Sequence, residues 1–161
     1  MSNVRRLMLH ASAKLREARF FLRLLTRIEE TATPLLGNAH EIREEYSFVL
    51  SGFLNACYSA LEQLKATFPK EVKAFKTHHA EIYGQGLRNV TVHERHISPS
   101  LSHYITLGGR AEAKAAQSAA TRQFEYYFDP IGEPVQITTF CSSHFQALLA
   151  FSARFDVQPD A

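Results

Sequence analysis

The sequence predicts a mainly α protein, an antiparallel helical bundle that carries a small β-hairpin in its C-terminal half. Two long stretches in which apolar residues recur at alternating steps of three and four, separated by a Pro/Gly break, carry most of that expectation. Scale supplies the rest. The chain has 161 residues, 45% of them hydrophobic, with 12 Phe and 6 Tyr, enough for one core, so residues 1–161 read as a single domain.

From Val4 to about Glu30, Met8, Ala11, Leu15, Ala18, Leu22 and Leu25 form an apolar stripe that Leu7, Phe21 and Ile28 widen. Pro34 and Gly37 end it, and Asn38 followed three residues on by Glu41 offers a capping box for a second helix. There Ile42, Tyr46, Val49, Phe53, Ala56, Ala60 and Leu64 keep the rhythm, while Gly52, Ala56 and Ala60 leave room for a neighbouring helix. Two long antiparallel helices follow from this pattern.

Pro69 starts a short third helix with Val72 and Phe75 inward, and residues 79–94 read as a fourth helical segment. Gly84, Gly86 and the Val90-Thr91-Val92 run are poor helix formers within it. Aromatic and β-branched residues at 103–107 and 122–128 predict the hairpin arms, and the Gly- and Ala-rich stretch between them has little to bury. After the Asp129-Pro130 turn, Phe140, His144, Phe145, Leu148, Leu149 and Phe151 support a closing helix, with a tail expected to fray beyond Asp156.

Composition narrows the function classes. The net charge of +2 gives no overall basic character, and the two cysteines, Cys57 and Cys141, form neither a zinc spacing nor a disulfide framework, which points to a reducing compartment and a cytoplasmic location. No apolar run reaches the ~18 residues of a membrane span, so no membrane association is expected. Residues 1–27 hold seven Lys/Arg against Glu17 alone, a bias shared with targeting peptides, but their apolar spacing continues into the first helix.

Within that helix Arg16, Arg19, Arg23 and Arg27 make a basic stripe that could follow a nucleic-acid backbone. The simpler expectation is a solvated face, with some of Glu29, Glu30, Glu41, Glu44 and Glu45 set opposite to neutralise it. His93 and His96, with His78, His79 and His103 nearby, lack the carboxylate or cysteine spacing that would complete a metal site. Gly84-Gln85-Gly86 falls short of a nucleotide-binding fingerprint, and Cys57 reads as a small core residue.

The segment that carries chemistry is Arg88-Asn89-Val90-Thr91-Val92-His93. On an ideal helix Arg88 and His93 stand about 140° apart, whereas Asn89 and His93, four positions apart, fall within about 40° of each other. Arg88 is adjacent to Asn89 and long enough to swing onto that face. A guanidinium fork for phosphate would then stand beside an imidazole that exchanges protons near neutral pH.

Arg88-Asn89 and the four-residue spacing to His93 resemble the Arg-x(4–6)-His motif of HEPN domains, which are helical bundles. The preceding Phe53-Leu54-Asn55-Ala56-Cys57-Tyr58-Ser59-Ala60-Leu61 is similar to the small-residue second helix of many of them. The resemblance covers roughly residues 4–95, leaving 98–130 as an insertion or hairpin and 134–155 as the closing helix.

It implies a metal-independent endoribonuclease, often a toxin of toxin–antitoxin or defence systems, whose motif helices meet across a homodimer. RNA is then the substrate, an antitoxin or other protein a partner, and no cofactor is needed. On that resemblance Arg88 would stabilise the phosphorane charge, His93 would transfer the proton and Asn89 would orient them, with Ser59 and Glu62 near enough on the second helix to tune the histidine. The alternative is a noncatalytic helical dimerisation or partner-binding module, in which Arg88 pairs with an acidic residue of the second helix and His93 is an interface histidine.

Overall fold

The computed structural model describes residues 3–31, 35–36, 42–83, 100–103, 124–128 and 135–159. Five helices carry the described fold: α1 (Asn3–Thr31), α2 (Ile42–Lys65), α3 (Pro69–His78), α4 (Ala80–Tyr83) and α5 (Ile137–Ala153). Three short strands, β1 (Ser100–His103), β2 (Phe124–Phe128) and β3 (Val135–Gln136), pair antiparallel in that order, with Leu101 opposite Tyr126 and Phe128 opposite Val135. Of the predicted hairpin arms, residues 104–107 and 122–123 lie outside the described residues. So do the Asn38–Glu41 capping box and the part of the expected fourth segment that follows Tyr83.

Contacts between the helices set their directions. Glu29 meets Tyr46 and Phe21 meets Gly52, so α1 and α2 are antiparallel. Tyr46 meets Thr138 and Phe53 meets Phe145, so α5 runs parallel to α2 and against α1. The α3 helix folds back over the same end, with Phe68 stacked on Phe155 at 4.1 Å and Phe75 on Phe151 at 4.5 Å.

The α2 helix is the centre of this arrangement, and its composition explains why. Tyr46, Leu50, Phe53, Leu54, Cys57, Ala60 and Leu61 are all fully buried, a face too broad for one partner helix, so α1, α3 and α5 surround it. Small residues let the first pair come close. A Cβ placed on Gly52 would stand 2.7 Å from ring carbons of Phe21, and Ala56 and Ala60 are buried beside it in the sequence pattern.

Two buried carboxylates inside the core are fastened by hydrogen bonds. Glu29 is only 8% exposed; its Oε1 accepts from Tyr46 Oη at 2.9 Å and its Oε2 from Gln136 Nε2 at 3.0 Å. Tyr46 Oη also lies 3.0 Å from Thr138 Oγ1, and Gln136 Oε1 caps α5 by accepting from the Thr139 N–H at 2.7 Å. Three helices share this network. A second buried carboxylate, Glu45, accepts from the backbone N–H groups of Leu35 and Leu36, binding the turn before α2 to its first turns.

The C-terminal tail departs from expectation. Asp156 takes a left-handed conformation at φ 57°, after which Val157 is 2% exposed in the core and the Gln158 carbonyl accepts from Ser12 Oγ at 2.6 Å. The chain therefore stays packed against α1 through this point instead of fraying. An apolar side chain and a backbone acceptor, each with a partner on the bundle, outweigh the entropy of a free end.

Replacing Gly52 with Val forces Phe21 off its seat, and we expect a loss of about 1–3 kcal/mol in urea unfolding; an unchanged midpoint would show that the helix pair has slack there. Tyr46→Phe leaves Glu29 and Thr138 each short of a buried partner, for an expected cost of about 1–3 kcal/mol. The same substitution combined with Glu29→Gln should cost less than the sum of the two single changes, the signature of one shared network.

Candidate functional site

Arg88, Asn89 and His93 lie outside the described residues, as does His96, whereas the two second-helix candidates are described. Ser59 is half-buried on α2. Glu62, one turn further, is drawn into an ion pair with Lys76 of α3 and stands 3.7 Å from Lys65. Partial burial pushes its carboxyl up, but the hydrogen bond and charge of Lys76, aided by Lys65 and Tyr58, outweigh this and hold it below the ordinary range. Glu62 is thus a committed anion, and the Lys76 ammonium also sits 4.0 Å over the Tyr58 ring.

Beside this pair, α4 ends at Tyr83, the last described residue before the motif segment. Its ring lies 6.4 Å from that of Tyr58 on α2, and its Oη lies 2.7 Å from Nε2 of His144 on α5. Burial first, then the neighbouring Cys57 and Glu81, push the phenol well above its usual range, so it keeps its proton. With the phenol donating to Nε2, the imidazole proton resides on Nδ1, and that buried atom has no hydrogen-bond partner. The opposite assignment would leave the hydroxyl proton unmatched as well.

His144 is nearly enclosed, against the rings of His79 at 5.1 Å and Phe75 at 6.1 Å. Burial, with a smaller contribution from His79, lowers its pKa from 6.5 to about 3. It is a neutral hydrogen-bonding post near neutral pH, and not a proton carrier. His79 is less enclosed, with Nδ1 3.3 Å from Glu81 Oε1 and its ring against Phe75 at 4.5 Å.

The sequence pattern placed His144 on the closing helix but gave no sign of its partner 61 positions away. His78 and His79, noted only for metal binding, form ring contacts with each other at 5.1 Å. Among the described residues no three His, Cys, Asp or Glu side chains converge as metal ligands. Cys57 and Cys141 are free and fully buried, and burial raises both thiols, leaving no thiolate nucleophile at either position. No helix among the described residues is long and apolar enough to cross a membrane.

The arrangement therefore anchors the end of α4 to α2 and α5 through Tyr83, ahead of the segment bearing Arg88, Asn89 and His93. Comparison with protein-family models, with curated proteins and with solved structures gave no match.

The sign of the pH response follows from His144. Its unfolded form takes up a proton as pH falls through about 6.5 while the folded form resists until about 3, so its contribution is complete above that window and is lost as pH falls through it. Urea unfolding of wild type should weaken relative to His144→Gln as pH drops from 6.5 toward 4; parallel curves would refute the assignment.

Proposed function

We propose that this chain is a HEPN-like protein acting as a metal-independent endoribonuclease, with a site assembled from Arg88, Asn89 and His93 of two subunits. The observation that carries the reading is the position of this motif, five residues beyond the Tyr83 anchor on a core of two long antiparallel helices.

The chemistry asks little of the rest of the protein. The ribose 2′-hydroxyl gives up its proton and attacks phosphorus, the bond to the 5′ oxygen breaks, and that oxygen takes a proton. His93 moves a proton at one of these oxygens, Arg88 stabilises the added charge on the phosphorane, and Asn89 orients the pair. The products are a 2′,3′-cyclic phosphate and a 5′-hydroxyl. Glu62, held by Lys76, acts on the site only through the local field.

A homodimer supplies the two motif copies, and an antitoxin-like protein that covers them is the matching partner. The competing reading, a noncatalytic dimerisation or partner-binding module, draws on the same helical core; it is favoured by the commitment of Glu62 to Lys76, which removes one carboxylate from service at a histidine.

The deciding experiment is cleavage of single-stranded RNA in chelator. Wild type should produce cyclic-phosphate ends, and Arg88→Ala or His93→Ala should slow cleavage by about 100-fold or more. A dimer that cuts no RNA would leave the noncatalytic module as the function, and variants that cut as fast as wild type would overturn the assignment of Arg88 and His93.

A further inference from the structure

The outward face of α1 bears Arg16, Arg19, Arg23 and Arg27; of the acidic residues expected to neutralise it, Glu29 and Glu45 are occupied elsewhere, Glu30 lies at the groove beside it and Glu44 is exposed on α2. Glu29 is buried with Tyr46 and Gln136, Glu45 is buried with the Leu35 and Leu36 N–H groups, and Glu17 pairs with Lys14. Arg19, Arg23 and Arg27 form no ion pair among the described residues.

Two of these arginines stand at an open groove of about 460 Å³ between α1 and α5, lined by Arg19, Arg23, Glu30, Ser142, Gln146 and Leu149 among others. Among the described residues lining it, Glu30 alone opposes their charge. Beside the stripe Phe20 is 56% exposed, with its ring edge against Phe21 at 5.6 Å. Arg16, Phe20, Arg23 and Arg27 succeed one another at steps of four, three and four, and so share one helical face.

The geometry points to this face and groove as a track for single-stranded RNA, with the guanidinium groups on successive phosphates and a base stacked on Phe20. From residue 16 to 27 the helix rises about 16 Å, enough for two or three phosphates of an extended strand. An exposed aromatic ring among cations is the combination that holds unpaired bases without reading their sequence.

An acidic partner helix is the rival occupant and fits less well. It would need a continuous apolar strip to dock, and between residues 10 and 31 Phe20 is the sole exposed large hydrophobic residue. The track uses neither Arg88 nor His93, and so goes beyond the cleavage reading and can stand without it.

The test is fluorescence anisotropy with a labelled 2′-O-methyl oligouridylate of about 12 nucleotides, which the chemistry above cannot cut, so loss of binding and loss of cleavage are read separately. Wild type should bind with an affinity that falls steeply with salt. Arg19→Gln with Arg23→Gln should weaken binding and flatten the logarithmic salt slope by about 1.4, while Arg19→Lys with Arg23→Lys retains most of the slope. Phe20→Ala should weaken single-strand binding about fivefold or more and leave binding of a duplex unchanged. The proposal is overturned if wild type does not bind at low salt, if the Gln double variant binds as wild type does, or if polyglutamate of equal charge displaces the strand equally well.

Discussion

A carboxylate taken out of water needs donors on both oxygens, and in this protein that requirement decides how three helices meet. Glu29 reaches into the core from α1 and is answered by Tyr46 of α2 and by Gln136 at the start of α5. Removing the charge from water costs several kcal/mol, so the network favours the arrangement in which both donors arrive together. Hydrophobic burial along α2 supplies the cohesion but tolerates sliding; the hydrogen bonds do not. They set the axial position of α1 and α5 against the central helix, and Gln136 adds the capping bond that starts α5 at its place.

Much of this fold is legible in the sequence because it is periodic. The stripe from Met8 to Leu25 and the denser one from Tyr46 to Leu64 give both long helices, their mutual packing and the close approach at Gly52. Val72 and Phe75 likewise face the core as their spacing requires. What the pattern does not encode is pairing between distant polar residues. Glu29 and Glu45 look like surface charges in sequence, and only the fold reveals that each has donors waiting inside. The tail at Val157 was obscured for a related reason, since a single apolar residue has no period.

The candidate site divides along the same line. A short motif is read by residue type and spacing, and Arg88, Asn89 and His93 are proposed on that basis alone, outside the described residues. The Tyr83–His144 contact could not be read that way, because the two residues belong to different helices and neither is unusual locally. Their bond leaves one imidazole nitrogen without a partner in the interior, a cost accepted immediately ahead of the motif segment. The distribution of acids is the other hidden feature. Glu29 and Glu45 are committed to partners inside the bundle, and Arg19, Arg23 and Arg27 on the exposed side of α1 form no ion pair among the described residues.

The bond from Ser12 to the Gln158 carbonyl joins positions 146 residues apart. Contacts of such span form late, because the loop they close includes nearly everything between them. During synthesis α1 emerges before α2 and can pair with it early, yet this part of its surface stays open until residues 157 and 158 have left the ribosome. The growing chain thus holds one flank of α1 uncovered while the residues between these two positions are made.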